Sequence, residues 1–570
     1  MLVVPVWLLL WLGGGRLTCG AQFRNVLMII VDDLRPELGG WPAAPLPHMY
    51  TPNIDALMAA TGSHTFTRAH CQIAICGPSR NSFITGRRPD STKTYELNDR
   101  WRDTGGNFTS MLQHFRESGY SVWSIGKILH ANHMDELSYP VAQFERFHSL
   151  PEVKTDRSWA NYSDEVLNAS PLRDTRVVDF ALTALAHETS KAVAEPWFLA
   201  VGLYKPHLPW VFPTRLLQHY PEEEYIISAE GGSAEASVGL PEGRDHYTVG
   251  AHDLALGQNG ELAKYSDLQA INFHSTNDIL WANKTAELRR AYFAAVSHID
   301  EEVGRLLHGL EQLDVENDTI IILFSDHGFE LGEHGMWCKH SCFDRATKVP
   351  LIIRDPKMEV EGAHVDSLVE LVDVMPTVSE LAGVSIPPLC PSNYSMDGLC
   401  TEGVSLIPLL GGVAEPRGWK NYSFSQYLRN PATTNTMIYS VTSKLFHYVE
   451  FADFNETDGT YTRNLAEGVE LYDLVHDPGE SVNQASNASL ASVVAEMAAV
   501  LQAGWRAALP KVPSTSTSES TSTSTSTSTS TLTSTLTSAS KTTSLSLAVS
   551  TLCIGTCNGS FIFFETDSYY

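Results

Sequence analysis

Cys76-Gly77-Pro78-Ser79-Arg80, continuing Asn81-Ser82-Phe83-Ile84-Thr85-Gly86-Arg87-Arg88-Pro89, puts a thiol four residues ahead of a guanidinium. Read blandly, Cys76 pairs with Cys71; read for chemistry, it has a job of its own and Cys71 stays free. Asp32 and Asp33 stand side by side, and Asp326 is followed by His327. Carboxylates are hard oxygen ligands of the kind Ca²⁺ takes, whereas an imidazole is a poorer partner for a hard cation. Lys127 lies three residues before His130, His207 closes a Lys-Pro-His triplet, and Lys339 closes Trp-Cys-Lys. Such groups can hold anionic oxygens and move protons. A lone Lys or His is more often a solvated or capping residue, and for His334 and His340 that reading stands.

The elements that would position these residues share one grammar. The runs 26–31 (VLMIIV), 120–125 (YSVWSI), 197–204 (WFLAVGLY) and 319–325 (TIIILFS) are largely apolar, and each ends in charged or imidazole groups. Residues 349–353 form a further β-branched run. Continuous apolar strands predict a mostly parallel sheet covered on both faces. Helical patterns fall between them at 53–60, 110–117 and 286–313. In the last, Leu288, Tyr292, Val296, Ile299, Val303, Leu306, Leu307 and Leu310 keep near-helical spacing. Alternating strand and helix signals predict an α/β fold, in which ligands sit beyond the carboxyl ends of the strands. Residues 437–451 alternate loosely, like antiparallel strands, and 490–508 reads as a helix. A catalytic domain over 21–412 with a smaller α+β subdomain over 413–510 follows.

The chain has 570 residues and a formal charge of −27, which argues against nucleic acid as a partner. The apolar run 2–12 is too short to span a bilayer and reads as the core of a signal peptide over 1–20, although the usual positive start is missing. Sequons at Asn107, Asn161, Asn168, Asn283, Asn317, Asn393, Asn421, Asn455 and Asn487 point to a glycosylating, oxidising route. That route ends in a lysosome or outside the cell. Cys390 and Cys400 bracket a Pro-rich loop and make a candidate disulfide; Cys338 with Cys342, and Cys553 with Cys557, are close enough in sequence to pair. Cys19 would leave with the signal peptide. From 513 to 546 nearly every residue is Ser or Thr, so the 511–570 tail is expected to be disordered and O-glycosylated. Neither a membrane-spanning helix nor a lipid anchor is expected at its end.

The Cys76 segment resembles the signature of the sulfatase family, C-x-P-S-R followed by x-T-G-R. The resemblance covers about residues 25–483 and is carried by NVLMIIVDDLRPELGG, TPNIDALM, CGPSRNSFITGRRPDSTKTYELN, GNFTSMLQHFRESGYSVWSIGKILH, FLAVGLYKPHLPW, SDHGFELGEHGMWCKHSCFDRATKVPLII and ELYDLVHDPGE. It implies an alkaline-phosphatase-like α/β/α sandwich with a smaller C-terminal subdomain. It implies conversion of Cys76 to formylglycine by the formylglycine-generating enzyme, and a Ca²⁺ site made by Asp32, Asp33, Asp326, His327 and the oxygen at position 76. By the same resemblance Arg80 and Lys127 hold the hydrate and sulfate, and His130 is the base near the hydrate. His207 and Lys339 face the sulfate and the leaving oxygen.

The match is closest to the iduronate-type members. That implies a sulfated glycan substrate, with the 2-O-sulfate of iduronate in heparan or dermatan sulfate as the expected ester; His130 and His207 as proton carriers separately suggest an acidic optimum. The chain departs from them at Gly77, where they usually carry Ala, a change expected to be minor. It departs also in a shorter stretch between His130 and Phe198, in Cys338 and Cys342 beside Lys339, and in the tail. The rival readings are a sulfatase of other specificity, a phosphodiesterase or phosphonate hydrolase of the same fold, and a silent glycan-binding protein with Cys76 unconverted.

Overall fold

Seven residues at the start of the first apolar run form β1 (Asn25–Val31) in the computed structural model, and all but Asn25 are buried. Successive side chains of a strand point to opposite faces. Leu27, Ile29 and Val31 therefore enter one core, and Val26, Met28 and Ile30 enter another. The structure describes residues 23–42, 49–130, 135–140, 143–145, 155–193, 195–221, 249–257, 259–274, 278, 280–392, 398–411, 414–429, 435–455, 460–463 and 468–510.

The strands that follow are β2 (Ser63–His70), β3 (Ser121–Gly126), β4 (Phe144–Glu145), β5 (Trp159–Tyr162), β6 (Trp197–Leu203), β7 (Trp210–Pro213), β8 (Thr319–Ser325), β9 (Lys348–Arg354) and β10 (Ala363–Glu370). Eight of them form one sheet in the order β10-β2-β9-β8-β1-β6-β3-β4. Its centre, β8-β1-β6-β3, is parallel throughout, so the four runs that end in chemically active groups finish on one edge. β9 runs antiparallel to both β8 and β2, which makes the sheet mixed.

One face is covered by α1 (Pro52–Ala59), α4 (Arg173–Thr189) and α5 (Ala282–Gln312). The other is covered by α2 (Cys76–Thr85), α3 (Met111–Glu117) and α6 (Val374–Leu381). This is the expected α/β/α sandwich. The long helix buries Leu288, Tyr292, Val296, Ile299, Val303, Leu306 and Leu310 as its spacing requires. Helix α3 is capped by the Ser110 hydroxyl, which accepts from the Gln113 amide.

A second, five-stranded antiparallel sheet holds β11 (Ser423–Arg429), β12 (Thr436–Thr442), β13 (Phe446–Asn455), β14 (Thr460–Arg463) and β15 (Val469–Asp473). Met497 of α7 (Ala491–Ala503) packs on Val441, Tyr448 and Leu471 of this sheet. The α7 helix stops five residues before the expected end at 508, because Gly504 breaks it. This sheet bears directly on the segment ahead of Cys76, where Gln426 donates its amide to Gln72 O at 2.8 Å.

Cys390 and Cys400 form a disulfide. Cys71, Cys76, Cys338 and Cys342 are free, buried thiols. The Cys71–Cys76 and Cys338–Cys342 pairings are therefore not made. Seven sequon asparagines (107, 168, 283, 317, 421, 455 and 487) are exposed, and Asn161 is half-buried. The 1–20 segment, Cys19, Asn393, Cys553, Cys557 and the 511–570 tail lie outside the described residues. Among the described residues no helix is long and apolar enough to cross a membrane.

Candidate active site

The Cys76 signature is a helix entered from an extended residue, Ile75, with Cys76 as its first residue. Pro78 is tolerated because first-turn amides have no partner inside a helix. Arg80 comes one turn later and shares the face of Cys76. Gly86 ends the helix at φ 63°, the left-handed conformation that favours glycine. Arg87 then lies over the Phe108 ring at 3.9 Å, and Arg88 donates to both oxygens of Glu370 at 2.8 Å. The signature thus anchors one end of α2 and presents a thiol at the positive end of its dipole.

Groups from three strand tips, those of β1, β8 and β3, surround that thiol. The Cys76 Sγ lies 3.4 Å from Asp32 Oδ1 and 3.3 Å from His327 Nε2. Asp33 adopts φ 64°, so the two adjacent carboxylates leave β1 in different directions. At the tip of β3, Gly126 pairs in register with Gly202 of β6. A Cβ on Gly126 would stand 2.1 Å from Gly202 O, and one on Gly202 would stand 2.2 Å from the Lys127 carbonyl. Two glycines let the chains approach, and the Lys127 ammonium then pairs with Asp32 Oδ2.

Arg80 is fully buried and ties the tips together. Its Nε donates to Asp326 Oδ2 at 2.9 Å, its Nη2 to Asp32 Oδ1 at 3.3 Å, and its Nη1 to the Lys127 carbonyl. Asp326 also accepts from the amides of Asp33 at 3.3 Å and His327 at 3.0 Å. Ser79 donates to Asp326 O at 2.6 Å. Lys339 reaches in from the segment after β8, with Nζ 3.4 Å from Asp33 Oδ1.

Electrostatics separates the neighbouring carboxylates. Burial pushes the Asp32 carboxyl up, but Lys127, His207 and Arg80 outweigh it and hold it well below the usual range. Burial pushes Asp33 up more than Lys339 and His207 offset. Both Asp33 oxygens are buried without a hydrogen-bond donor. Burial and Asp32 also push the Cys76 thiol up, yet Lys127, Lys339 and His327 hold it well below the ordinary thiol value.

Asp32, Asp33, Cys76 and His327 each offer one donor atom within 4.8 Å of the others. A cation among them would meet the unsatisfied Asp33 oxygens, so the residues fit a metal. Asp326 borders this group, its carboxylate accepting from Arg80 and from two backbone amides. Its Oδ2 is 3.6 Å from His327 Nε2.

His130 is half-buried and faces the Cys76 sulfur; burial lowers its pKa against that sulfur's pull. His207 Nδ1 lies 2.7 Å from Leu208 O. The other nitrogen, Nε2, is 3.0 Å from Glu261 Oε1, and Lys339 Nζ is 2.7 Å from Glu261 Oε2. Sequence reasoning missed Glu261, which sits on a four-residue helix, Gly260–Ala263, outside any periodic pattern. His334 pairs with Glu330 at 3.4 Å and bonds Gly479 O at 2.9 Å, which is an internal tether. Gly77 is a larger departure than expected: a Cβ there would stand 2.0 Å from Leu97 O.

The α/β/α sandwich and the reactive groups gathered at one sheet edge define a hydrolase of the alkaline-phosphatase-like class. The chain belongs to the sulfatase family, whose domain matches residues 24–384. A second domain, "N-sulphoglucosamine sulphohydrolase, C-terminal", matches residues 332–506. Iduronate 2-sulfatase of Homo sapiens is 33% identical over 521 residues, covering 80% of this chain and 90% of that protein. A solved 2-O GAG sulfatase superposes with TM-score 0.58 at 20% identity, over 84% of this chain and 91% of its own. Phosphonate monoester hydrolase from Silicibacter pomeroyi gives TM-score 0.61 at 21% identity, over 86% and 96%.

Proposed function

We propose that this sulfatase hydrolyses sulfate esters of glycosaminoglycan-type sugars, with the 2-O-sulfate of iduronate in heparan or dermatan sulfate as its ester. One observation carries the reading: the position 76 side chain lies against Asp32 and His327 at a helix N-terminus, with Arg80, Lys127 and Lys339 around it. The sugar assignment is supported by the 33% identity to Homo sapiens iduronate 2-sulfatase.

In this reading Cys76 becomes formylglycine through the formylglycine-generating enzyme, and Sγ stands in for the hydroxyl oxygens of the aldehyde hydrate. One hydroxyl attacks sulfur to give a covalent sulfo-enzyme, and the S–O bond to the sugar breaks. The second hydroxyl then loses its proton and expels sulfate, which restores the aldehyde; a serine has no second hydroxyl for that step. His130 takes the proton, since burial keeps its ring a neutral acceptor. Lys127 and Lys339 hold sulfuryl oxygens, and His207 protonates the sugar oxygen. Asp32, Asp33, Asp326 and His327 would hold Ca²⁺, which supplies Lewis acidity toward the sulfuryl oxygens. Delivery follows the secretory route, to a lysosome or to the outside.

The test is sulfate release by the full chain, produced with the formylglycine-generating enzyme. The substrates are a 2-O-sulfated iduronate disaccharide, N-acetylglucosamine 6-sulfate and bis(4-nitrophenyl) phosphate. Turnover of the disaccharide well above the other two is expected. Preference for the 6-sulfate would overturn the sugar assignment, and preference for the phosphodiester would overturn the ester class.

A further inference from the structure

We propose that Glu261 is a positioning residue: it holds His207 as a proton-donating imidazolium beside Lys339, and so sets how well a poor sugar leaving group is expelled. The inference rests on the sulfatase reading above. Each oxygen of this one carboxylate takes one cation, Oε1 facing His207 Nε2 at 3.0 Å and Oε2 facing Lys339 Nζ at 2.7 Å.

The protonation of His207 follows from its partners. A backbone carbonyl only accepts, so the 2.7 Å contact to Leu208 O requires a proton on Nδ1. An ionised carboxylate also only accepts, so Nε2 carries a proton as well. Burial alone would raise the Glu261 carboxyl, but Lys339 and His207 outweigh it and hold it well below the usual range.

The other charged groups facing His207 are Lys339 from the segment after β8, Lys127 from the tip of β3, and Asp32 and Asp33 from the tip of β1. Burial and both lysines work against the imidazolium; Asp33 and Glu261 work for it, and the ring is pushed up to about 10. In the reaction the Nε2–H, held by Glu261 Oε1 until substrate enters, is shared with the sugar oxygen, and its proton passes to that oxygen as the S–O bond breaks with its electron pair there. Solvent water then returns a proton to His207. The Glu261 side chain is 17% exposed and the His207 side chain 23%, so both border the open side of the site, with Lys339 beneath them at 2%.

Leaving-group dependence tests this, because an aryl oxide departs without a proton whereas a sugar alkoxide needs one. For Glu261→Gln, kcat on the 2-O-sulfated disaccharide should fall by about 100-fold, and on 4-nitrophenyl sulfate by less than about 5-fold, as expected for loss of general-acid assistance. The alkaline fall of kcat on the disaccharide should move down by about one pH unit or more, since a lost negative partner lowers the pKa of an imidazolium. Glu261→Asp keeps the charge but cannot span both cations, and should recover part of the loss. Equal losses on both esters with an unmoved pH profile, or undiminished turnover of the disaccharide, would overturn the proposal. Should the wild type leave the aryl sulfate untouched, the pH profile on the disaccharide decides. Failure of the wild type on every sulfate ester would instead overturn the sulfatase reading.

Discussion

Position 76 is surrounded by opposite charges that the fold, and not solvent, holds in place. Removing water strengthens each of these interactions, so the charges around the thiol govern what it can become. Arg80 shows how this is arranged: it is fully buried between Asp32, which Lys127 also pairs, and Asp326, which without the guanidinium would lose its main cationic partner. In the proposed reaction, replacing Cys76 removes the reacting atom and little else. For Cys76→Ala, sulfate release should fall by about 10⁴-fold or more, as for loss of a nucleophile that acts with its neighbours as a unit. The lost sulfur leaves only a small cavity, so melting should shift by a few degrees at most, about 1 kcal/mol. Calorimetry with an assay checks both; a variant with undiminished turnover would contradict the assignment. At this scale much was legible in the sequence. Asp32, Lys127, His207 and Asp326 each follow an apolar run, and Arg80 lies one helical turn from Cys76. Glu261 was not legible, because only the folded chain brings it to Lys339 and His207.

At the scale of elements, strand-tip spacing is set by backbone. Gly126 and Gly202 face each other where β3 and β6 end, and the Lys127 amide donates to Gly202 O at 2.8 Å. Gly202→Ala would drive a methyl into the Lys127 carbonyl. That overpacking should cost about 1–3 kcal/mol. Lys127 would also move away from Asp32, and a displacement of about 1 Å at a site can cost about 100-fold in rate. A Gly202→Ala enzyme with wild-type kcat and melting temperature would show that the close approach has no role. Strands apolar on both faces, such as β1, β6 and β8, announce themselves. β2 did not: SHTFTRAH reads as polar, yet Ser63, His64 and Thr65 are buried. The antiparallel course of β9 was equally hidden, because strand direction leaves no trace in hydrophobic periodicity.

For the whole molecule, the buried carboxylates set stability against pH. Burial pushes Asp300 up to about 6, and Glu330 and Glu470 up to about 7. Unfolded carboxyls titrate near about 4. Between those values the folded protein keeps protons that the unfolded chain has released. This contribution is therefore full at about pH 4 and is lost as pH rises through about 6–7. His334 acts in the same sense: burial alone would lower it, but Glu330 raises it to about 9. Glu333 opposes them. Burial would raise it, but Arg35 and Arg289 hold it down at about 2, so its contribution is full above about 4 and lost as pH falls toward 2. Melting temperature at saturating calcium should thus be higher at about pH 5 than at about pH 8. The reverse order in scanning calorimetry would contradict this.

The α/β/α layering was readable because strand and helix periods alternate along the chain. The packing of the second sheet against Gln72 was not, since it joins residues hundreds of positions apart.

The proposed chemistry requires a formylglycine aldehyde at position 76, beside a cluster that could hold a metal. Mass spectrometry of the proteolytic peptide spanning residue 76, taken from active protein, reads this out. A peptide about 18 Da lighter than its cysteine form is expected, the change from thiol to aldehyde. An intact thiol in protein that still releases sulfate, or a peptide linked to Cys71, would contradict it.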